Sequence, residues 1–211
     1  EGIGGDNSVI EVLNAFTGEQ AAELCVNNVP PDELAGYLFD IGVYYNKAFI
    51  VPEINNHGIS VVDKLKRRYE NIYRREVFDK LSNQTRQVLG WKTSMVTKPM
   101  MIDALEEAVR NLDVKIYSVD SIKELKTFVR SEEAGKQGMG AEGQNKDDRV
   151  IALALALQGI RHLPRMKKPE TQAEKRLKEY IAGKQFDQLY PIQKPITGRD
   201  RMKYKIRGVS K

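Results

Sequence analysis

The first thirty residues carry the alternation of apolar and polar positions that is typical of β-strands. The runs 8–16 (SVIEVLNAF) and 20–26 (QAAELCV) are both compatible with a strand. Between them lie Thr17, Gly18 and Glu19, a set of residues that favours a turn. We therefore predict that this part of the chain forms a β-hairpin.

The pattern then changes to helical spacing. Apolar residues recur every three or four positions in 31–46 (PDELAGYLFDIGVYYN), and a compact apolar run follows at 48–51. This order predicts a helix that leads into a buried strand. A second amphipathic helix is predicted to begin at Gly58, with a β-like stretch at 71–75 after it. The apolar stripe of this second helix consists of Val61, Val62, Leu65 and Tyr69.

The second half of the chain continues this alternation up to about residue 163. The spacing predicts helices over 98–111 and 149–158, the latter almost entirely apolar, and a short strand over 114–117. The segment 121–129 is predicted as a helix or a strand. Residues 133–146 contain four glycines and no apolar pattern, which predicts a mobile loop. A polar helix near 170–182 is the last predicted element, and the order as a whole predicts the α/β class.

Composition and charge divide the chain into two regions. Residues 1–160 hold 19 Lys and Arg against 24 Asp and Glu, whereas residues 161–211 hold 15 against 5. An acidic body suits cation binding, and a basic tail suits phosphate or an acidic protein surface. We predict one domain over 1–163 and a basic extension over 164–211. A solvated, loosely ordered C-terminus is the alternative interpretation of the extension.

Several classes of protein lose support from the sequence. No run of apolar residues is long enough for a membrane span, and no signal-like segment is recognisable, so we expect neither membrane insertion nor secretion. The single cysteine, Cys25, cannot form an internal disulfide and is predicted to be a small core residue. No phosphate-binding P-loop motif occurs, and His57 and His162 lack the partners and spacing of a zinc site.

The candidate chemistry is carried by carboxylates. Glu53 follows the apolar run 48–51, at the carboxyl end of a predicted strand, where α/β sheets usually bind ligands. Asp147 and Asp148 stand at the start of the apolar helix, where the helix dipole favours ionised acids. Asp6 lies in a Gly-rich turn before the first strand. The alternatives are a simply exposed Glu53, and an N-cap and a first-turn acid without function at 147 and 148.

Carboxylates that converge from separate elements are what a two-metal phosphodiesterase requires. Oxygen ligands hold two Mg²⁺ or Mn²⁺ ions, of which one activates water and the other stabilises the leaving oxygen. Asn55, Asn56 and His57, next to Glu53, are candidates to orient it or to contact phosphate. A role for Asn56 in starting the following helix is an equal alternative.

The chain resembles the C-terminal nuclease domain of tailed-bacteriophage terminase large subunits. The resemblance covers about residues 1–160 and depends on the Gly-rich turn with Asp6, on 50–58 (IVPEINNHG) and on 146–156 (KDDRVIALALA). It implies an RNase H-like fold, with a central mixed sheet flanked by helices. It also implies a metal-dependent endonuclease that cuts concatemeric viral DNA during packaging.

The resemblance assigns roles to the acids. Glu53 matches the acid of the middle strand, Asp148 the acid of the late helix, Asp147 a neighbouring ligand or orienting group, and Asp6 an accessory acid. The family's first aspartate belongs to a strand before the Gly-rich turn, and the sequence starts after that position, at Glu1. The family's ATPase half is likewise outside this sequence. The portal protein and the small subunit are the implied partners of the full-length protein, together with double-stranded DNA, in the host cytoplasm.

Two segments are candidates to contact the DNA backbone. Six cations fall within residues 64–75, and two lysines flank or enter the predicted loop 133–146. In a nuclease they would hold phosphate without recognising the base sequence, and the loop would close over DNA. A solvated helix face and simple disorder are the respective alternatives. The candidates are Lys64, Arg67, Arg68, Arg74, Arg75, Lys136 and Lys146.

Two rival functions remain open at this point. Another RNase H-like nuclease, such as a junction resolvase or a transposase core, would share the acids and the fold. A non-enzymatic module that binds DNA or the portal through its basic tail would use the acids only as helix caps. Branched-DNA preference would favour the first rival. DNA binding that survives Glu53→Ala, without metal-dependent cutting, would favour the second.

Overall fold

The computed structural model describes residues 7–55, 57–79, 83–131, 138–142, 145–164 and 172–181. The chain forms two compact units, Glu1–Met166 and Lys167–Lys211. The described elements of the first unit are β1 Asn7–Leu13, β2 Gln20–Asn27, α1 Pro31–Tyr44, α2 Gly58–Leu65, β3 Arg74–Asp79, β4 Gln84–Leu89, α3 Thr97–Arg110, α4 Val119–Thr127, β5 Phe128–Ser131, β6 Gly138–Ala141 and α5 Asp148–His162. The second unit contains α6 Gln172–Ile181.

The predicted hairpin at the start of the chain is confirmed. Strands β1 and β2 pair antiparallel, with a register shift between Val12 and Leu13. The turn depends on Gly18, whose φ of +70° is in the left-handed region. A Cβ atom at this glycine would lie 1.7 Å from the carbonyl oxygen of Asp113. No other residue type therefore fits there without moving the chain.

The segment 48–54 is extended, but it is paired at isolated positions and forms no continuous strand. Parallel bridges join Ile50 to Ile72 and Glu53 to Trp91. The Trp91 amide donates to the carbonyl of Pro52 at 2.8 Å, and the Ile54 amide donates to the carbonyl of Trp91 at 2.8 Å. The predicted buried strand is thus an extended segment whose backbone holds Glu53 between two fixed hydrogen bonds.

Two paired segments differ from the prediction. Strand β4 pairs with β3 although its sequence, QTRQVL, is largely polar and exposed. The prediction of a loop over 133–146 is wrong for Gly138–Ala141, which form β6 and pair with β5. Neither strand has the alternation of apolar residues that identifies a strand in a sequence. Each is ordered mostly by the pairing of its backbone with the neighbouring strand. The predicted strand over 114–117 is reduced to one bridge, from Lys115 to Glu19.

Helix α5 is the centre of the larger hydrophobic core. Leu153 and Ala154 are fully buried there, packed with residues of α3 such as Met101 and Leu105. Each fully buried leucine contributes roughly 1.5–3 kcal/mol. A smaller cluster joins α1 to α2. The prediction that 149–158 is a deeply buried helix is confirmed, so its first turn begins at the edge of the core.

The fold is of the mixed α/β class, as predicted. Its described strands form three two-stranded antiparallel sheets, and parallel pairing is confined to isolated bridges. The central mixed sheet implied by the resemblance is therefore not continuous across the described ranges. Within those ranges, no helix combines the length and apolar character needed to cross a lipid bilayer.

Candidate metal and DNA site

A groove of about 1940 Å³ crosses the first unit, and three of the predicted acids are among the many residues that line it. Strand β1, the segment 48–55 and the first turn of α5 contribute to its walls. Glu53, Asp147 and Asp148 all line this groove, although they come from opposite halves of the sequence. Asp6, the predicted accessory acid, lies outside the described residues.

Glu53 is oriented by its neighbour two residues later in the chain. The Asn55 side-chain amide donates to Glu53 Oε1 at 3.1 Å and to the carbonyl of Thr93 at 2.9 Å. Asn55 thus links the carboxylate to the backbone just after the Trp91 bridge. Of the two roles predicted for Asn55, this hydrogen bond favours the orientation of Glu53 over a contact with phosphate. Asn56 lies outside the described residues, and His57 occupies the N-cap position of α2 without a side-chain capping bond.

The two aspartates at the start of α5 have different partners. Asp147 stands at the N-cap position, yet its side chain makes no capping hydrogen bond. Its Oδ2 atom instead accepts a hydrogen bond from Lys98 Nζ at 3.2 Å. Asp148 Oδ2 accepts from the backbone amide of Asn7 at 3.1 Å. The capping alternative therefore does not describe how the Asp147 carboxylate is used.

Arg149 anchors this end of α5 to β2 and α4. Its guanidinium donates to Glu23 at 2.9 Å through Nε and to Glu124 at 2.6 Å through Nη1. The backbone amide of Arg149 donates to the second oxygen of Glu124 at 2.8 Å. The three side chains are 10–17% exposed, so solvent screens these ion pairs only weakly. Arg149, the residue next to Asp148, therefore links the start of α5 to β2 and α4.

Glu23, which binds Arg149, also belongs to a cluster of hydrogen-bonded side chains around Ser121 and Glu11. Ser121 Oγ is 2.6 Å from Glu23 and 3.1 Å from Glu11, and Gln20 donates to Glu11 at 2.8 Å. A serine hydroxyl has one proton to donate, so a protonated Glu11 supplies the other hydrogen bond. Burial, reinforced by the nearby Glu23 charge, raises the pKa of Glu11 to about 7. This agrees with the hydrogen-bond count.

The charge of Glu23 is stabilised in the same cluster. Burial would raise the pKa of Glu23, but hydrogen bonds from Ser118, Ser121 and Arg149 outweigh that effect and lower it. Cys25, on the same strand, is partly buried, and burial raises the pKa of its thiol. A neutral thiol is a poor nucleophile, and the partial burial of Cys25 agrees only in part with the prediction of a core residue.

The predicted DNA-binding cations divide into two sets. Arg74 and Arg75 line the groove, whereas Lys64, Arg67 and Arg68 are not among its described lining residues. Arg68 lies over the Phe39 ring, 4.2 Å from its centroid. Lys146 is partly buried, and Lys136 lies outside the described residues. The lining also contains Lys66, one of the six cations of 64–75, and four cations that sequence reasoning missed, namely Lys47, Arg86, Lys92 and Lys98.

The carboxylates of Glu53, Asp147 and Asp148 have the donor chemistry that suits a hard divalent cation, but they do not form a ligand cluster. Carboxylate oxygens are the ligands that Mg²⁺ and Mn²⁺ prefer. Within the described ranges, no three His, Cys, Asp or Glu side chains come close enough together to hold a metal ion. Each acid instead accepts a hydrogen bond from within the protein. Asn55 donates to Glu53, Lys98 to Asp147, and the Asn7 amide to Asp148.

Comparisons with known proteins bear on the fold. No family model and no curated protein sequence matches the chain. Among solved structures, the chain is similar to the large terminase nuclease from thermophilic phage G20c, with a TM-score of 0.60 and 23% identity over 75% of this chain and 77% of that chain. Structures of that nuclease with bound magnesium and with bound cobalt give TM-scores of 0.58 and 0.57, each at 23% identity over 72% of this chain and 74% of that chain. The terminase resemblance is thus confirmed at the level of the fold, and this chain has the fold of a large terminase nuclease.

Proposed function

We propose that this chain is the RNase H-like nuclease domain of a phage terminase large subunit, an endonuclease that cuts concatemeric viral DNA during packaging. One observation carries the proposal: Glu53, Asp147 and Asp148 line a single groove that also carries basic side chains. The terminase nuclease fold supports it, and so do the magnesium-bound and cobalt-bound forms of the phage G20c enzyme.

In this proposal Glu53, Asp148 and Asp147 hold two Mg²⁺ or Mn²⁺ ions. When bound, the ions supply Lewis-acid activation of the attacking water and stabilisation of the leaving oxygen. Asn55 keeps the Glu53 carboxylate turned toward the groove, and Arg149 keeps the first turn of α5 in place. These fixed donors reduce the reorganisation that the site needs before chemistry.

The basic side chains of the groove hold the substrate. Arg75, Arg86 and Lys92 line it together with the acids, and phosphate contacts of this kind bind DNA without reading its sequence. We propose the DNA duplex as the substrate, and the portal protein and terminase small subunit as partners of the full-length protein in the host cytoplasm. The basic extension over 164–211 is proposed to contact DNA or the portal.

Nicking and linearisation of supercoiled plasmid test the proposed activity. We expect cutting with Mn²⁺ or Mg²⁺, none with EDTA, and a loss of at least about 100-fold in Glu53→Ala and Asp148→Ala, because each removes a ligand oxygen. Asp120→Ala is the matched control, since this exposed carboxylate of α4 pairs only with Lys123 among its described ion pairs. Retention of cutting in both groove variants would exclude the assignment of these acids.

A second candidate is a DNA-binding or portal-binding module without catalysis. The observation that favours it is that no group of three potential ligand side chains converges within the described ranges. It predicts that DNA binding survives Glu53→Ala and that no preparation cuts DNA with any divalent metal. A preference for branched over linear duplexes would instead favour an RNase H-like nuclease of the resolvase or transposase type.

A further inference from the structure

Lys98 forms an ion pair with one of the acids of the groove, and no sequence pattern pointed to it. It lies in the first turn of α3, and its Nζ atom is 3.2 Å from Asp147 Oδ2. The side chains are 26% and 29% exposed, so the ion pair is largely withdrawn from solvent. The ammonium also lies 5.8 Å from the centroid of the Phe128 ring. Lys98 is therefore held in a defined position beside Asp147.

This position conflicts with the proposed use of Asp147. A carboxylate oxygen that accepts a hydrogen bond from an ammonium has less capacity to bind a metal ion. The positive charge of Lys98 also repels a divalent cation that approaches the same oxygen, and low solvent exposure strengthens that repulsion. Lys98 and a metal ion are thus competitors for Asp147 Oδ2.

The Lys98 side chain can leave Asp147 when a metal ion binds there. Its ammonium is a compact charge with three donors on a flexible four-carbon stem, which suits binding to phosphate from more than one direction. The other cations of the lining, including Arg75, Arg86 and Lys92, give the groove the charge that a nucleic-acid backbone requires. A displaced Lys98 ammonium therefore has a phosphate ligand available when DNA occupies the groove.

We propose that Lys98 neutralises Asp147 in the metal-free protein and binds a phosphate of the DNA backbone once a divalent cation has taken its place on Asp147. This inference rests on the proposed function and adds a phosphate-binding residue to it. The exchange couples metal and DNA binding, because the cation that displaces Lys98 also releases the ammonium for the substrate.

The test measures metal binding and DNA binding separately in Lys98→Met. Calorimetric titration with Mn²⁺ in the absence of DNA reports the competition for Asp147. We expect binding to tighten by roughly three- to tenfold, because a repelling charge and a competing donor are removed. Fluorescence anisotropy with a short duplex in Ca²⁺, over a range of salt concentrations, reports phosphate contacts. We expect weaker binding and a salt slope smaller by about 0.9, the value of one phosphate contact.

Two further variants isolate the effect. Lys98→Arg retains the charge, so we expect it to keep the wild-type salt slope. Lys123→Met removes an exposed lysine paired with Asp120 on α4 and leaves both readouts unchanged. The sign of the Mn²⁺ response separates the proposal from a structural role, since a lysine that merely supports the position of Asp147 would weaken metal binding when removed.

The outcomes are distinct. Tighter Mn²⁺ binding together with a smaller salt slope supports the exchange. Mn²⁺ binding in the wild type that Lys98→Met leaves unchanged or weakens overturns the role of Lys98 but leaves the nuclease proposal standing. An unchanged salt slope excludes phosphate binding by Lys98. Absence of Mn²⁺ binding in the wild type overturns the proposed function, and the Lys98 exchange with it.

Discussion

The two sides of the groove position their acids by different means. At the start of α5, Arg149 is bound by Glu23 and Glu124, and Ser121 extends this network to Glu11. On the opposite side, Glu53 accepts a side-chain hydrogen bond from Asn55, and its backbone pairs with Trp91. Ion pairs hold the start of α5 in place, whereas backbone hydrogen bonds hold the segment that carries Glu53. Substitutions on the two sides should therefore have different consequences.

The largest expected effect is on stability, at Arg149. Arg149→Ala leaves Glu23 and Glu124 without a partner that is only 15% exposed, and we expect the free energy of unfolding to fall by about 3 kcal/mol. Urea denaturation followed by circular dichroism measures this change. Arg161→Ala is the control, because its ion pair with Glu107 is exposed and should contribute below about 1 kcal/mol. Equal losses in the two variants would contradict an anchoring network.

A smaller effect, dependent on pH, is expected at Glu11. The pKa of Glu11 is raised from 4.5 to about 7 in the folded protein. Its contribution to stability is therefore fully present below pH 4.5 and is lost as the pH rises through about 7. Glu11→Gln removes this loss, so we expect the variant to be more stable than the wild type by about 1–3 kcal/mol at pH 8, after discounting for partial exposure.

Urea denaturation of Glu11→Gln and the wild type at pH 4.5 and pH 8 tests this expectation. The difference between the two proteins should be small at pH 4.5 and should appear as Glu11 ionises. Glu23 works in the opposite direction, because its lowered pKa favours the folded state at higher pH. Comparing variant with wild type at each pH cancels that contribution. A difference independent of pH would show that Glu11 does not titrate in this range.

On the Glu53 side, the expected effect is on activity with little change in stability. Asn55→Ala removes the donor that orients Glu53, and we expect the rate of plasmid cutting to fall by roughly tenfold. The melting temperature should change little, because the lost hydrogen bonds contribute about 1 kcal/mol each. Asn111→Ala, at the exposed end of α3, is the control. A large loss of stability in Asn55→Ala would mean that this side, too, is held by an anchoring network.

The comparison also separates what sequence reasoning found from what it missed. Helices α1, α2 and α3 were predictable because apolar residues repeat at helical spacing, and α5 because it is a long, almost entirely apolar run. Glu53 and Asp147 were singled out because they stand at the ends of apolar segments. Strand β4 was missed because its residues are mostly polar and exposed, and β6 because glycine leaves no pattern. In both cases the partner strand supplies the order.

The sequence by itself determined helices α1, α2, α3 and α5, the first hairpin and the identity of the candidate acids. These properties depend on the periodicity of side chains along a few turns or a few alternating positions, which is local information. Only the tertiary structure decided which groups meet around the acids. Lys98 reaches Asp147 across 49 positions, and Arg149 reaches Glu23 across 126. Pairings over such separations follow from the packing of whole elements, because no local pattern encodes which distant charges will share a groove.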